Sequence, residues 1–152
     1  MQIIDAHQHF WDPSRGDYSW MPQDNKILNR KYDLKELSKD SRSIDLYKTV
    51  LVQAAATNAE TEYMLNIAEN SDLVSGIVGW VNFEDPNQLK QLKTFAKNPK
   101  FVGVRPMIQD ITDKNWVLNK DFDIFFKTII DLDLSFDALG FPIHLDNFYI
   151  IA

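Results

Sequence analysis

The sequence predicts an α/β fold in which strands and helices alternate around a parallel sheet, and two observations predict it. Apolar runs with the length of strands alternate with segments of helical periodicity along the whole chain. Polar residues also recur where successive predicted strands end, as they do in (β/α) barrels that build a site from several strand ends. These residues are His7, His9, Gln53, Trp80, Asn82, Arg105 and Asp137.

Alternation alone is also typical of an open, doubly wound sheet. Such sheets commonly bind nucleotides through glycine-rich turns, and no Gly-x-Gly-x-x-Gly or Gly-Lys-Ser/Thr stretch follows any predicted strand. The polar strand ends therefore favour a barrel of the TIM type. Because eight units need at least ~200 residues and the chain has 152 residues, we predict that residues 1–152 are the N-terminal portion of a single (β/α)8 barrel domain, with about five βα units.

The first predicted strand, residues 3–9, ends in two histidines separated by one residue. Alternate side chains of a strand share a face, so His7 and His9 should point the same way. Imidazole is the commonest metal ligand and titrates near neutral pH, so the pair suits metal binding or proton transfer. Because this short spacing also arises by chance, the alternative is a pair without function. The turn formers at 12–16 place the pair where a strand meets a loop, the functional edge of parallel α/β folds.

The next stretch, residues 12–29, is rich in Pro, Asp, Asn and Gly and predicts a long loop. Long loops in compact domains are usually functional. Asp33 should then cap a short helix, with Glu36 three residues on.

The rest of the chain predicts four more strands and three more helices. The strands are expected at 50–54, 76–82, 101–105 and 134–139, and the helices at 60–68, from 85 onward and at 122–132. In the last of these helices the spacing should turn five residues inward: Phe122, Phe125, Phe126, Ile129 and Ile130.

The composition indicates the location of the protein and the class of partner that it binds. Hydrophobic residues make up 45% and charged residues 25% of the chain, an ordinary globular balance, and no apolar run is long enough to cross a bilayer. We therefore expect a cytoplasmic protein that does not bind membranes. The lack of cysteine excludes disulfides and thiolate chemistry. The net charge of -6 argues against nucleic acid and favours a small-molecule partner.

Six short motifs, taken in order, resemble one known family. They are His7-Gln8-His9-Phe10-Trp11-Asp12-Pro13, Val50-Leu51-Val52-Gln53-Ala54, Gly79-Trp80-Val81, Gly103-Val104-Arg105, Leu134-Ser135-Phe136-Asp137 and His144-Leu145. Together they are similar to the amidohydrolase-related (amidohydrolase 2 type) TIM-barrel lactonases, which include sugar-acid lactonases such as fuconolactonase and rhamnonolactonase, and pyrone-dicarboxylate lactonase. The resemblance implies a (β/α)8 barrel and hydrolysis of a lactone or a related C–O or C–N bond.

The resemblance also implies roles for single residues. His7 and His9 would be metal ligands, catalytic groups or substrate-binding groups of the first strand. Five further residues are candidates for substrate binding: Gln53, Trp80, Arg105, Asp137 and His144. The competing interpretation is that these residues have structural roles: Arg105 would form a salt bridge, and His144 would be a packing residue.

The predicted chemistry leaves the need for a metal open. Lactone opening passes through a tetrahedral oxyanion, so the site needs a cation or donors near that oxygen and a base for water. A divalent metal, zinc or manganese, could supply both, and a metal-independent route is the alternative.

The chain also departs from the family pattern. The resemblance implies a barrel whose site is completed by a later histidine and a later acid, and neither residue has a counterpart here. Three hypotheses follow: a lactone hydrolase with one part of its site in this chain, a catalytically silent α/β fragment, or, more weakly, metal binding or storage through the histidines. Open strand edges lead us to expect a homo-oligomer or a complementing C-terminal half.

Overall fold

The computed structural model describes residues 1–152 and contains one sheet of five parallel strands. In chain order they are β1 (Ile3–Gln8), β2 (Leu46–Val52), β3 (Val74–Gly79), β4 (Phe101–Val104) and β5 (Ser135–Phe136). Each strand pairs in parallel with the next, so the order in the sheet equals the order in the chain. A doubly wound sheet reverses its strand order at a switch point. The observed order is that of a barrel wall, which confirms the predicted fold class.

Five helices connect or follow the strands. They are α1 (Leu34–Asp40), α2 (Asn58–Glu69), α3 (Gln88–Phe95), α4 (Asp123–Asp131) and α5 (Leu145–Ile151). The Asp33 carboxylate accepts the backbone N–H groups of Lys35 and Glu36, which confirms the predicted cap of α1. None of these helices combines the length and the apolar character that crossing a bilayer requires.

The hydrophobic core lies between the sheet and the helices. Leu51 and Ile77 of the sheet pack in one cluster with Met64, Leu92 and Phe125 of the helices, and each is at most 1% exposed. Full burial of such a side chain contributes roughly 1.5–3 kcal/mol. The helices are therefore held on one face of the sheet, which leaves the carboxyl ends of the strands free to carry a site.

The predicted inward face of α4 is wrong at one position. Phe125 and Ile129 are buried as expected, whereas Ile130 is 75% exposed. At 3.6 residues per turn, position 130 lies one step around the helix from position 129 and falls outside the buried stripe.

The third strand ends earlier than the prediction of 76–82, at Gly79. Trp80 follows the strand, and the Thr61 hydroxyl of α2 accepts its backbone N–H at 2.8 Å and donates to its carbonyl at 3.0 Å. A helix side chain therefore replaces a neighbouring strand here, which sequence patterns cannot indicate. The last strand is also shorter than expected, covering only Ser135–Phe136.

Candidate functional site

The two histidines of the first strand meet at the carboxyl end of β1. Their Nε2 atoms are 3.1 Å apart and their ring centroids 4.8 Å apart. The His9 Nδ1 atom lies 2.7 Å from the Val52 carbonyl, which can only accept a hydrogen bond. In neutral His9 the proton is therefore on Nδ1, and the lone pair of Nε2 points toward His7 Nε2.

The environment of His9 favours this neutral form. Burial is the main cause that lowers the pKa of His9 from its ordinary value of 6.5, and the nearby Arg105 and His7 lower it further. The Asp137 carboxylate and the hydrogen bond to Val52 act in the opposite direction. The environment therefore favours the neutral form of His9, which is the form that accepts a proton or binds a metal.

Arg105 brings a buried cation to the pair. The residue is 5% exposed, and its Nη1 atom lies 3.4 Å from His7 Nε2. Its Nη2 atom donates to the Gln53 carbonyl, whereas its buried Nε has no partner. Burial lowers the pKa of the guanidinium, but arginine stays protonated in proteins. The arrangement can hold an anion or an oxyanion next to the imidazoles.

Gln53 lies behind Arg105 and not against the open cleft. Its side chain is fully buried, and its Nε2 donates to the Arg105 carbonyl at 2.7 Å. Because the Arg105 side chain donates to the Gln53 carbonyl in return, the ends of β2 and β4 are joined by a reciprocal pair of bonds. Gln53 is thus placed to orient Arg105 and not to touch a ligand directly.

Three consecutive carbonyls at the carboxyl end of β2 each accept a hydrogen bond from one side chain of the site. Val52 accepts from His9, Gln53 accepts from Arg105, and Ala54 accepts from the Trp20 indole N–H at 2.6 Å. Backbone carbonyls released from a sheet ladder need new partners. The end of β2 therefore sets the positions of three groups that belong to different parts of the chain.

Two adjoining cavities open beside these groups. One, of about 350 Å³, is lined by His9, Arg105, Trp11 and Leu139 among others, and the second, of about 310 Å³, is lined by Trp80, Asn82, Phe83, Glu84 and Trp116 among others. Both are lined by Trp20, Met107 and Asp110. Trp80 therefore lines the neighbouring cavity, and Trp20 stands on the border between the two.

The remaining predicted site residues lie at the end of β5 and beyond it. The Asp137 backbone N–H donates to the Val104 carbonyl at 2.9 Å, and the Asp137 carboxylate partly opposes the lowering of the His9 and Arg105 pKa by burial. His144 is 3% exposed, and its Nδ1 accepts the Phe141 backbone N–H at the start of α5. The structure brings Asp137 to the site and leaves His144 in a local capping contact.

Sequence reasoning missed Trp20, which lies in the predicted loop at 12–29. The available signal was a tryptophan among turn-forming residues, where no helix or strand periodicity accounts for a large aromatic side chain. Its partner Ala54 lies 34 positions away, so no local pattern could identify the contact.

The histidine pair fits part of a metal site. Tetrahedral zinc with Zn–N bonds of ~2.0–2.1 Å separates two ligand nitrogens by roughly 3.4 Å, close to the observed 3.1 Å. Catalytic zinc usually has three protein ligands, and no group of three or more His, Cys, Asp or Glu side chains in the chain could hold an ion. Asp5 is no third ligand here, since its carboxylate accepts the His7 backbone N–H. The chain therefore offers two ligand positions.

Comparison with known proteins gives one family along nearly the whole chain. The amidohydrolase family model matches residues 4–150. The L-fucono-1,5-lactonase of Burkholderia ambifaria is 34% identical over 142 residues, which cover 93% of this chain and 49% of the relative. The chain thus spans about half the length of the curated relatives it matches.

Solved structures show the same fold. An amidohydrolase of Burkholderia multivorans with bound zinc is 29% identical and superposes with a TM-score of 0.86, covering 97% of this chain and 52% of that one. A probable 2-pyrone-4,6-dicarboxylic acid hydrolase of Acinetobacter baumannii with bound citric acid has a TM-score of 0.68 at 20% identity over 97% of this chain and 52% of that one. The second likeness supports the fold alone.

Proposed function

This chain belongs to the amidohydrolase family, and we propose that it supplies one part of the site of a hydrolase that opens sugar-acid lactones. The observation that carries the proposal is the group formed by His7, His9 and Arg105 at the carboxyl ends of β1 and β4. It combines an imidazole lone pair on His9 Nε2 with the buried cation of Arg105, the two functions that lactone hydrolysis needs.

In the proposed reaction a water oxygen adds to the lactone carbonyl carbon. His9 Nε2 accepts a water proton, and the Arg105 guanidinium stabilises the negative charge on the carbonyl oxygen. Collapse of this intermediate breaks the ring C–O bond, the ring oxygen takes up the proton, and a hydroxy acid leaves. Arg105 is suited to bind the new carboxylate as well.

The proposed reaction can also use a divalent metal. Zinc or manganese would be held by His7 and His9, and when bound it would polarise the carbonyl and lower the pKa of a bound water. The zinc in the Burkholderia multivorans structure supports zinc as the first metal to test. The remaining ligands would have to come from outside the two histidines.

The proposal assigns only part of the site to this chain. The curated relatives are about twice as long as the matched region, which supports a site completed by a second copy or by a complementing C-terminal half. The cytoplasmic location stays a prediction from composition.

We test the proposed function with Arg105→Lys, which keeps the charge and loses the forked donor. We expect sugar-acid anions such as L-fuconate to bind the wild-type chain in calorimetry, and to bind the variant about 10- to 100-fold more weakly, because hydrogen bonds to charged groups contribute ~1.5–3 kcal/mol.

The matched control is Arg42→Lys, since Arg42 is exposed and makes no hydrogen bond or salt bridge. Circular dichroism checks that both variants fold. A wild-type chain that binds neither L-fuconate nor its lactone would refute the proposal. Equal affinities in the wild type and Arg105→Lys would remove Arg105 from it.

A further inference from the structure

Glu60 is a buried carboxylate that lies outside the cavities of the site. It occupies the first turn of α2, and its side chain is 0% exposed. A buried carboxylate is unfavourable unless it is paired and hydrogen-bonded, and burial raises the pKa of Glu60. Its partners therefore indicate which contacts require a carboxylate at this position.

The partners of Glu60 come from two separate segments. Oε1 accepts the Ala54 backbone N–H at 2.9 Å, directly after β2. Oε2 accepts the Tyr18 hydroxyl at 2.9 Å and lies 3.3 Å from the Arg15 guanidinium. Tyr18 and Arg15 both belong to the long loop, so one carboxylate joins that loop to the strand end.

A second set of contacts holds the same part of the loop. Arg15 pairs with Asp17 at 2.6 Å, and the Thr57 hydroxyl donates to Asp17 at 2.9 Å. Thr57 also caps α2 by accepting the Glu60 backbone N–H at 3.0 Å. The Arg15 guanidinium lies 4.3 Å from the centre of the Tyr63 ring. The loop from 15 to 18 is thus fixed on the N-terminus of α2.

The consequence of these contacts is the position of Trp20. Trp20 follows Tyr18 by two residues, and its indole donates to the carbonyl of Ala54, the residue whose N–H is held by Glu60. Trp20 is 41% exposed, and Trp11 touches its ring edge-on with 5.8 Å between the ring centroids. Packing alone therefore constrains this side chain weakly.

We propose that Glu60 is a positioning residue that sets Trp20 as the wall between the two cavities, against which a ligand ring packs. This rests on the proposed function, because Trp20 is taken as part of the lactone site. Glu60 itself touches no ligand. It acts by fixing both the loop that carries Trp20 and the residue that receives the Trp20 indole.

The variant Glu60→Gln tests the proposal without changing the size of the side chain. Its amide oxygen can keep the bond to Ala54, whereas its NH2 group cannot accept the Tyr18 hydroxyl and carries no charge for Arg15. The matched control is Glu62→Gln, on the same helix but exposed and without side-chain partners.

The first readout needs no ligand. Hydrogen exchange of the Trp20 indole N–H is followed by NMR, with the resonance assigned by its loss in Trp20→Phe. We expect exchange about tenfold faster in Glu60→Gln and unchanged in Glu62→Gln, since opening of the loop frees the indole from Ala54. Equal exchange in the wild type and Glu60→Gln would overturn the proposal.

The second readout uses L-fuconate binding. We expect Glu60→Gln and Trp20→Phe each to weaken binding by about tenfold or less, and the double variant to be no weaker than the worse single one, because both act through one contact. Additive losses would overturn the proposal, whereas a wild type that does not bind refutes the proposed function only. If Glu60→Gln does not fold, Tyr18→Phe removes one bond of the same set, and unchanged indole exchange in it would count equally against Glu60.

Discussion

At the scale of single residues, the backbone carbonyl of Val52 decides what His9 can do. It places the proton on Nδ1 and turns the lone pair of Nε2 toward His7. Burial lowers the pKa of His9 and so favours the neutral ring. A second-strand carbonyl thus prepares a first-strand histidine for either proton transfer or metal binding.

We predict that zinc binds this chain weakly and exchangeably. Two imidazoles leave the other positions of a tetrahedral ion to water, and the Arg105 cation lies 3.4 Å from His7 Nε2. Calorimetry should give at most a low affinity, lost in His7→Ala and in His9→Ala. Tight, stoichiometric zinc that survives His7→Ala would contradict the prediction.

At the scale of elements, side chains of α2 bind the backbone just after the carboxyl ends of two strands, β2 and β3. Its first turn holds Ala54 after β2 through Glu60, and its Thr61 hydroxyl satisfies the N–H and C=O of Trp80 after β3. The carbonyl and amide groups that a strand leaves unpaired at its end are thus bonded by side chains of one helix. This arrangement places Trp20 and Trp80 on the walls of the adjoining cavities.

We predict that Thr61→Val lowers the free energy of unfolding by about 1–3 kcal/mol. Valine has the shape of threonine but leaves the Trp80 N–H and C=O without their partner. The matched control is Thr94→Val, because Thr94 is exposed and its hydroxyl donates only to the Lys90 carbonyl of its own helix.

Urea denaturation of both variants measures the difference, and we expect the control to change stability by at most about 0.5 kcal/mol. Equal stabilities of the wild type and Thr61→Val would show that the Trp80 backbone finds other partners.

At the scale of the whole molecule, the sheet is an open segment of a barrel wall. β1 pairs only with β2, and β5 pairs only with β4. Each outer strand therefore presents one edge of unpaired backbone groups, and β1 also carries Ile4, which is 59% exposed. Exposed strand edges and apolar side chains favour pairing with another chain.

We predict that the chain associates in solution through its outer strands. Light scattering should detect species larger than a monomer, and Ile4→Lys should shift them toward monomer, because a charged side chain on an edge strand opposes pairing. Ile27→Lys is the control, since Ile27 is 73% exposed but lies in the long loop. A monodisperse wild-type monomer would contradict the prediction.

Residue patterns alone predicted the order of strands and helices, the barrel-type fold and the common face of His7 and His9. These properties depend on periodicities of two and 3.6 residues, which are local and can be read from a short window. The polar strand ends likewise predicted that His9 and Arg105 would meet, because parallel strands end at one edge.

The contacts that each of those residues makes could not be predicted from local patterns. Gln53 and Arg105 are 52 positions apart, and their reciprocal bonds depend on the relative register of β2 and β4. Trp20 lies in a loop and Glu60 in a helix, and the sequence pattern of neither element predicts that both residues bond the Ala54 backbone. A local pattern can predict which residues lie at the site. The partner of each residue depends on contacts between distant parts of the chain, which are set by packing in three dimensions.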